Sequence, residues 1–214
     1  MIVSHKHKFI YVKAHRVAGT SVHVELEKAC GDGDLFSGDH SERNCELSPH
    51  ATVGQVRDLV GEKVWQDYTK IVNVRNPWDM LVSLYFFTHN WTVKQSSVKL
   101  LVPALFGAFV RWHVSYSPRN KDFWLIEGEP WADVYIRYES LESDCWDLWY
   151  KLGLKWTGLQ RLGSQHRQNG FHYSLMYDYE EMETVRKAYA REIEYFGYSF
   201  EHPYSKGDNV KWIV

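Results

Sequence analysis

Hydrophobic residues along this chain alternate between short, continuously apolar runs and longer stretches with helical spacing. The run FIYV, Phe9 to Val12, is apolar at every position and rich in aromatic and β-branched side chains. That is the composition of a strand buried on both faces of a parallel sheet. The loop AHRVAG follows, then Thr20 and Ser21 as candidate N-caps, Val22, Leu26 and Ala29 at helical spacing, and Gly31 as a stop. The pattern predicts a strand–loop–helix unit. Gly31 to Pro49 reads as an irregular excursion, and a short polar helix is expected from Val53 to Leu59. A second buried strand, IVNV, ends at Arg75; Asn76 then caps a helix with Pro77 at its first position and Leu81, Leu84 and Tyr85 on one face. Val98 to Val114 has amphipathic spacing, interrupted by Pro103 and Gly107. A third strand, DVYIRY, leads through Glu139 and Ser140 into a helix carrying Leu141, Cys145, Leu148 and Leu152. A charged helix is expected from Tyr179 to Tyr195, with Val185, Tyr189 and Ile193 facing the sheet. There is no internal repeat or low-complexity tract.

Strands alternating with helices predict an α/β fold of three layers with a mostly parallel central sheet, its ligand sites at the carboxyl ends of strands. A length of 214 residues without a composition break suits one domain, 1–214. The 25 basic and 27 acidic residues give a net charge of −2, which argues against a nucleic-acid partner and makes any anion site a local one. Cys30, Cys45 and Cys145 are far apart and odd in number, the usage of reduced thiols in a cytoplasm. No signal peptide is apparent, and the longest apolar stretch, VPALFGAFV, is too short to span a bilayer, so a soluble cytoplasmic protein without a membrane partner is expected. His5, His7, His40 and the cysteines fit no metal motif, and no metal is assigned.

The loop AHRVAGTS has the design of an anion site. A buried strand ending in a Gly-containing turn that opens a helix gathers backbone N–H groups and the positive helix end around one point. Arg16 adds a full charge, Gly19 close backbone approach, and Thr20 and Ser21 hydroxyl donors. It is not a Walker loop, because Thr20 stands where that motif has Lys. In the second unit, VRNPWDMLVS, Arg75 at a strand end and Ser83 two turns into the next helix form a second anion-binding pair. Two such sites suggest a ligand with two separated phosphates.

With these two segments in this order, the sequence resembles the sulfotransferases that use 3′-phosphoadenosine-5′-phosphosulfate (PAPS), of the carbohydrate or Golgi-type branch and its bacterial or viral relatives. Their loops read roughly PKTAGTS and VRNPWDRLVS, against HRVAGTS and VRNPWDMLVS here. SPHATVGQVRDLVG, ADVYIRYESLESD and YAREIEYFGYSF also look like family segments. The resemblance implies a P-loop-like sulfotransferase fold. It also implies that His15, Arg16, Val17, Ala18, Gly19, Thr20 and Ser21 hold the 5′-phosphosulfate, and that Arg75 and Ser83 hold the 3′-phosphate. The expected reaction moves a sulfuryl group from PAPS to a hydroxyl of a carbohydrate or other small acceptor by in-line displacement, without a metal, leaving 3′,5′-adenosine bisphosphate. His50 is the expected base, with Glu46 in reserve. The family's Pro-Lys is His15-Arg16 here, so Arg16 acts electrostatically rather than as an acid. Lys13 offers a second cation whose direction alternation leaves open. Arg167, in the looser segment GSQHRQNGFHYSLMY, stands as a contact to the 3′-phosphate or to the acceptor. Residues 87–130 are expected to shape the acceptor pocket, with Trp91 and Trp112 as contacts, whereas Trp65, Trp78, Trp146 and Trp149 read as packing residues. A P-loop-like nucleotide kinase and a non-catalytic nucleotide-binding relative are the alternatives. Acceptor identity and oligomeric state stay open.

Overall fold

The computed structural model describes residues 1–37, 44–89, 101–116, 121–162 and 172–201. The chain forms two compact units, each assembled from separate stretches: Met1–Arg75 with Arg119–Gly163, and Asn76–Pro118 with Ser164–Val214.

The first unit is built on a five-stranded sheet. In chain order its elements are β1 (Ile2–Ser4), β2 (Phe9–Val12), α1 (Gly19–Glu27), β3 (Leu35–Phe36), α2 (Val53–Asp67) and β4 (Thr69–Val74). The second unit contributes α3 (Pro77–His89) and α4 (Leu101–Tyr116) before the chain returns to the first with α5 (Lys121–Trp124), β5 (Leu125–Ile126), β6 (Glu129–Pro130), β7 (Val134–Arg137) and α6 (Leu141–Lys151). The sheet order is β3-β1-β2-β4-β7. β2, β4 and β7 run parallel, Tyr11 opposite Ile71 and Ile71 opposite Val134, while β1 is antiparallel to both β2 and β3. The result is an α/β architecture on a mixed sheet. β1 and β3 have no counterpart in the hydrophobic pattern: IVS is too short to show a period, and Leu35–Phe36 lies inside a stretch that reads as irregular. That stretch is organised by buried Asp34, which accepts hydrogen bonds from Ser4 Oγ (2.8 Å), His5 N (2.6 Å) and Gly31 N (3.0 Å).

One face of the sheet, through Ile2, Phe9, Tyr11, Ile71 and Ile136, packs with Val22 and Leu26 of α1 and Cys145, Leu148 and Trp149 of α6. By alternation Ile10, Val12 and Val72, also fully buried, belong to the other face. Helix boundaries depart from the expected ones for local reasons. α1 stops at Glu27 and tightens into three-residue turns, Ala29 N to Leu26 O and Cys30 N to Glu27 O, before Gly31 is reached. α2 starts as expected, with a capping box between Thr52 and Gln55, but runs past Leu59 through a break at Gly61 (φ 76°) to Asp67. Trp146 is not a packing residue: it is 53 % exposed and stacks on Tyr150, whereas Trp65, Trp78 and Trp149 are buried.

The second unit is helical. Asn76 Oδ1 accepts from Trp78 N (3.1 Å), capping α3 as its sequence predicts. α4 carries Pro103 in its first turn, where the missing N–H costs nothing; residues 98–100 of the expected helix lie outside those described. The helix expected over 179–195 is two, α7 (Tyr179–Ala188) and α8 (Ala190–Phe196), divided at Tyr189 (φ −110°, ψ 21°). Val185 and Tyr189 pack with Leu81, Tyr85, Phe106 and Val110 of α3 and α4, and Ile193 packs on the edge of this cluster, so their face meets helices rather than the sheet. No helix among the described residues is long and apolar enough to cross a membrane.

Glu181 gives this unit a pH dependence. It sits in the capping box with Asp178 and packs over Gly107 of α4, where a Cβ would collide with its carboxylate, and it is 8 % exposed. Burial, reinforced by the hydrogen bond with Asp178, pushes its carboxyl up to about 7 from an ordinary 4.5. The folded state therefore binds this proton more tightly than the unfolded chain. The stabilisation is complete below about 4.5 and is lost as pH rises towards 7. Urea unfolding at pH 5 and pH 7 is expected to show stability falling by on the order of 2 kcal/mol, and Glu181→Gln to flatten that change. An undiminished slope in the variant would assign it to another group.

Candidate anion site in the first unit

The loop between β2 and α1 is held in an uncommon conformation. Arg16 (φ 56°) and Ala18 (φ 60°) are both left-handed without being glycine, at a cost on the order of 1 kcal/mol each. Two side chains of the sheet, and Arg75 directly after β4, offset it. Arg75 Nη1 donates to Arg16 O (2.8 Å) and Asn73 Nδ2 to Val17 O (3.2 Å), while the buried Tyr11 hydroxyl reaches Gly19 O (3.1 Å) and Asn73 Oδ1 (2.7 Å). Burial raises the Tyr11 phenol well above its ordinary pKa, so it stays a donor. Hydrogen bonds of this kind contribute about 1 kcal/mol each, and about 1.5–3 kcal/mol where the donor is charged.

The carbonyls of Arg16, Val17 and Gly19 are thus bound by side chains rather than by the loop itself. Ala18 stands at the N-cap position without a side-chain cap, and the expected caps, Thr20 and Ser21, lie inside α1. Left-handed Ala18 followed by helical Gly19 is the pairing that turns consecutive N–H groups into an anion-binding concavity. Ser21 N and Val22 N bond to Ala18 O, while no acceptor among the described residues takes the N–H of Gly19 or Thr20. Ser21 Oγ itself accepts from Leu162 N (3.1 Å), so this hydroxyl is bound to the chain segment after α6.

Three cationic residues surround this loop. Lys13, 4 % exposed, lays its stem over Gly19, where a Cβ would stand 2.8 Å from Lys13 Cγ; this close approach is what requires the glycine. Its direction, open in the sequence, is towards the head of α1. Arg75, 5 % exposed, has its guanidinium carbon over the Tyr138 ring, 3.6 Å from the centroid. The Arg16 guanidinium is lowered to about 10 by burial and by repulsion from Arg75. Arg16 stays charged at neutral pH, and an anion beside it would offset both penalties.

His50, the expected base, is tied to the same loop. Its Nδ1 lies 3.0 Å from Lys13 O. A carbonyl only accepts, so Nδ1 carries the proton and Nε2 of the neutral ring carries the lone pair. The His50 ring stacks on His15 (4.0 Å between centroids, 25°), and His15 meets Phe123 edge-on (5.3 Å). Glu46 is exposed.

Of the residues expected at the site, His15 to Gly19, His50 and Arg75 gather in this unit around Lys13. Ser83, buried in α3, belongs to the second unit, as does Trp112 of α4, 55 % exposed. Arg167, Trp91 and His40 lie outside the described residues. Sequence reasoning missed Tyr11, Asn73, Tyr138 and Phe123. A signal existed for Asn73, since an amide in the otherwise apolar IVNV must find buried partners. No family model matches the chain, and neither searches of curated proteins nor of solved structures give a match.

Proposed function

We propose that the chain is a PAPS-dependent sulfotransferase and that its α/β frame is a three-layer, P-loop-like sulfotransferase fold. The observation that carries the reading is the pair of guanidiniums at the head of α1, half-buried Arg16 and buried Arg75, beside a histidine whose proton is fixed on Nδ1. The donor set fits the co-substrate: fixed cations and backbone N–H groups suit a phosphosulfate, and the reaction needs no protonated leaving group.

His50 Nε2 takes the proton of the acceptor hydroxyl as its oxygen attacks sulfur. The bond from sulfur to the bridging phosphate oxygen breaks, and its electron pair leaves with 3′,5′-adenosine bisphosphate. Arg16, Lys13 and the N–H groups of Gly19 and Thr20 stabilise the charge that grows on that phosphate. The acceptor is a hydroxyl compound, a carbohydrate or another small molecule. Cys30, Cys45 and Cys145 are all free thiols, which fits a reducing, cytoplasmic compartment.

Thermal unfolding with saturating 3′,5′-adenosine bisphosphate tests the reading directly. Ligand at one hundred times its Kd stabilises the folded state by about 2.7 kcal/mol, and the bisphosphate is expected to raise Tm where equal ATP does not. A larger shift with ATP would favour the kinase reading. Labelled-sulfate transfer to a panel of hydroxyl acceptors separates an enzyme from a protein that only binds the nucleotide.

A further inference from the structure

Arg75 stands at the end of β4, the strand paired in parallel with both β2 and β7. Its side chain joins the segments that leave those two neighbours. It donates to the carbonyl of Arg16, beyond β2, and its guanidinium carbon lies over the ring of Tyr138, the residue immediately after β7. One buried side chain thus ties three adjacent strand ends together. The bond goes to the backbone of a left-handed residue whose own guanidinium Arg75 repels. Charge repulsion alone would drive the two arginines apart, so the hydrogen bond to Arg16 O opposes the tendency of the loop to open. A guanidinium that lies over a ring while donating to a carbonyl makes two contacts at once, which an ammonium cannot reproduce with the same geometry.

We propose that Arg75 is a positioning residue for the 15–21 loop: it holds the left-handed turn at Arg16 that aims the N–H groups and the Arg16 side chain at one anion, and recognition of the nucleotide's 3′-phosphate falls to other side chains. This departs from the role that family resemblance gives Arg75, and its ligand arm rests on the nucleotide reading above.

The test compares the Kd values of 3′,5′-adenosine bisphosphate and 5′-AMP, by calorimetry, for the wild type, Arg75→Gln and Arg75→Lys. Both variants are expected to lose affinity for both ligands by the same factor, tenfold or more, leaving the ratio of the two Kd values within about twofold of wild type. A selective loss of bisphosphate binding, with 5′-AMP unaffected, would make Arg75 the 3′-phosphate ligand and overturn the proposal; so would unchanged affinity for both. Hydrogen exchange on the ligand-free protein tests the positioning role without any nucleotide. The amides of Ser21 and Val22, which bond to Ala18 O, are expected to exchange at least tenfold faster in Arg75→Gln while β2 and α6 stay protected. Unchanged exchange there would overturn the proposal. A wild type that binds neither ligand would remove the nucleotide reading and leave the exchange result to decide the role of Arg75.

Discussion

Arg16→Ala is expected to lower the rate of sulfuryl transfer about a hundred- to a thousand-fold while leaving the ligand-free protein at least as stable as before. The two effects have one cause. In the absence of an anion Arg16 is partly desolvated and repelled by Arg75, which is why its guanidinium is lowered to about 10. The folded protein therefore bears an electrostatic cost at neutral pH that the unfolded chain does not. Sign fixes the direction: the cost is present while Arg16 is charged and disappears as pH rises through the lowered value. Removing the side chain removes the cost, and each kcal/mol regained raises Tm by about 2–4 °C in a chain of this size. On the proposed reading it also removes the charge that meets the leaving phosphate, and loss of a single fixed donor of this type costs about 10²–10³ in rate. Stability that rises while activity falls is the expected mark of a residue kept for chemistry. A variant that loses stability and activity together would instead make Arg16 a structural residue. Differential scanning calorimetry and labelled-sulfate transfer, on the same preparation, measure the two quantities.

The second large effect concerns His50. Replacement by Gln is expected to reduce kcat about 10²–10⁴-fold, the usual contribution of a positioned base, while affinity for 3′,5′-adenosine bisphosphate changes by no more than about twofold. The separation follows from the geometry. His50 is held through Lys13 O and His15, and a Gln side-chain amide can still donate to that carbonyl, so the loop keeps its contact while the lone pair at Nε2 is lost. Equal losses in kcat and in nucleotide affinity would show that His50 supports the loop rather than the proton transfer. Glu46→Gln is the companion variant. Its carboxylate is exposed, and a larger loss there than in His50→Gln would move the base to Glu46.

The central strands and the helices after them are legible in the chain because burial on both faces leaves an unmistakable run of apolar residues; FIYV matches β2 residue for residue. Asn76 and Pro77 are equally plain, since capping chemistry is local. Features that escape the sequence depend on partners distant along the chain. β1 exists because Ile2–Ser4 finds β2 on one side and β3 on the other. The break at Tyr189 interrupts a spacing that would otherwise continue as one helix. Within the site, the sequence points to Arg16, Gly19, Arg75 and His50 but not to the contacts that hold them. Left-handed Ala18 has no sequence signal, because alanine favours the opposite conformation. Its neighbours Arg16, Val17 and Gly19 are held by Arg75, Asn73 and Tyr11, which lie up to 59 residues away. Trp146 departs from the packing role expected of it because an aromatic residue at helical spacing looks the same whether it faces a core or solvent.

The parallel pairing of β4 with β7 has a consequence for how the protein is made. The contact of Lys70 with Asp133 at the start of that pairing spans 63 residues, and the chain between leaves the first unit at Arg75 and re-enters it at Arg119. On a ribosome, β1, β2 and the loop with Arg16 emerge early, and Arg75 comes next with one of its two supports in place. Tyr138, the other, emerges only after the residues between have been added, and closure over such a span is slow relative to the nearby pairing of β1 with β2. The nascent chain therefore passes through an interval in which one edge of β4 is unpaired and Arg75 has only the carbonyl of Arg16 to hold it. The loop thus acquires its second strand-end support only when β7 takes its place beside β4.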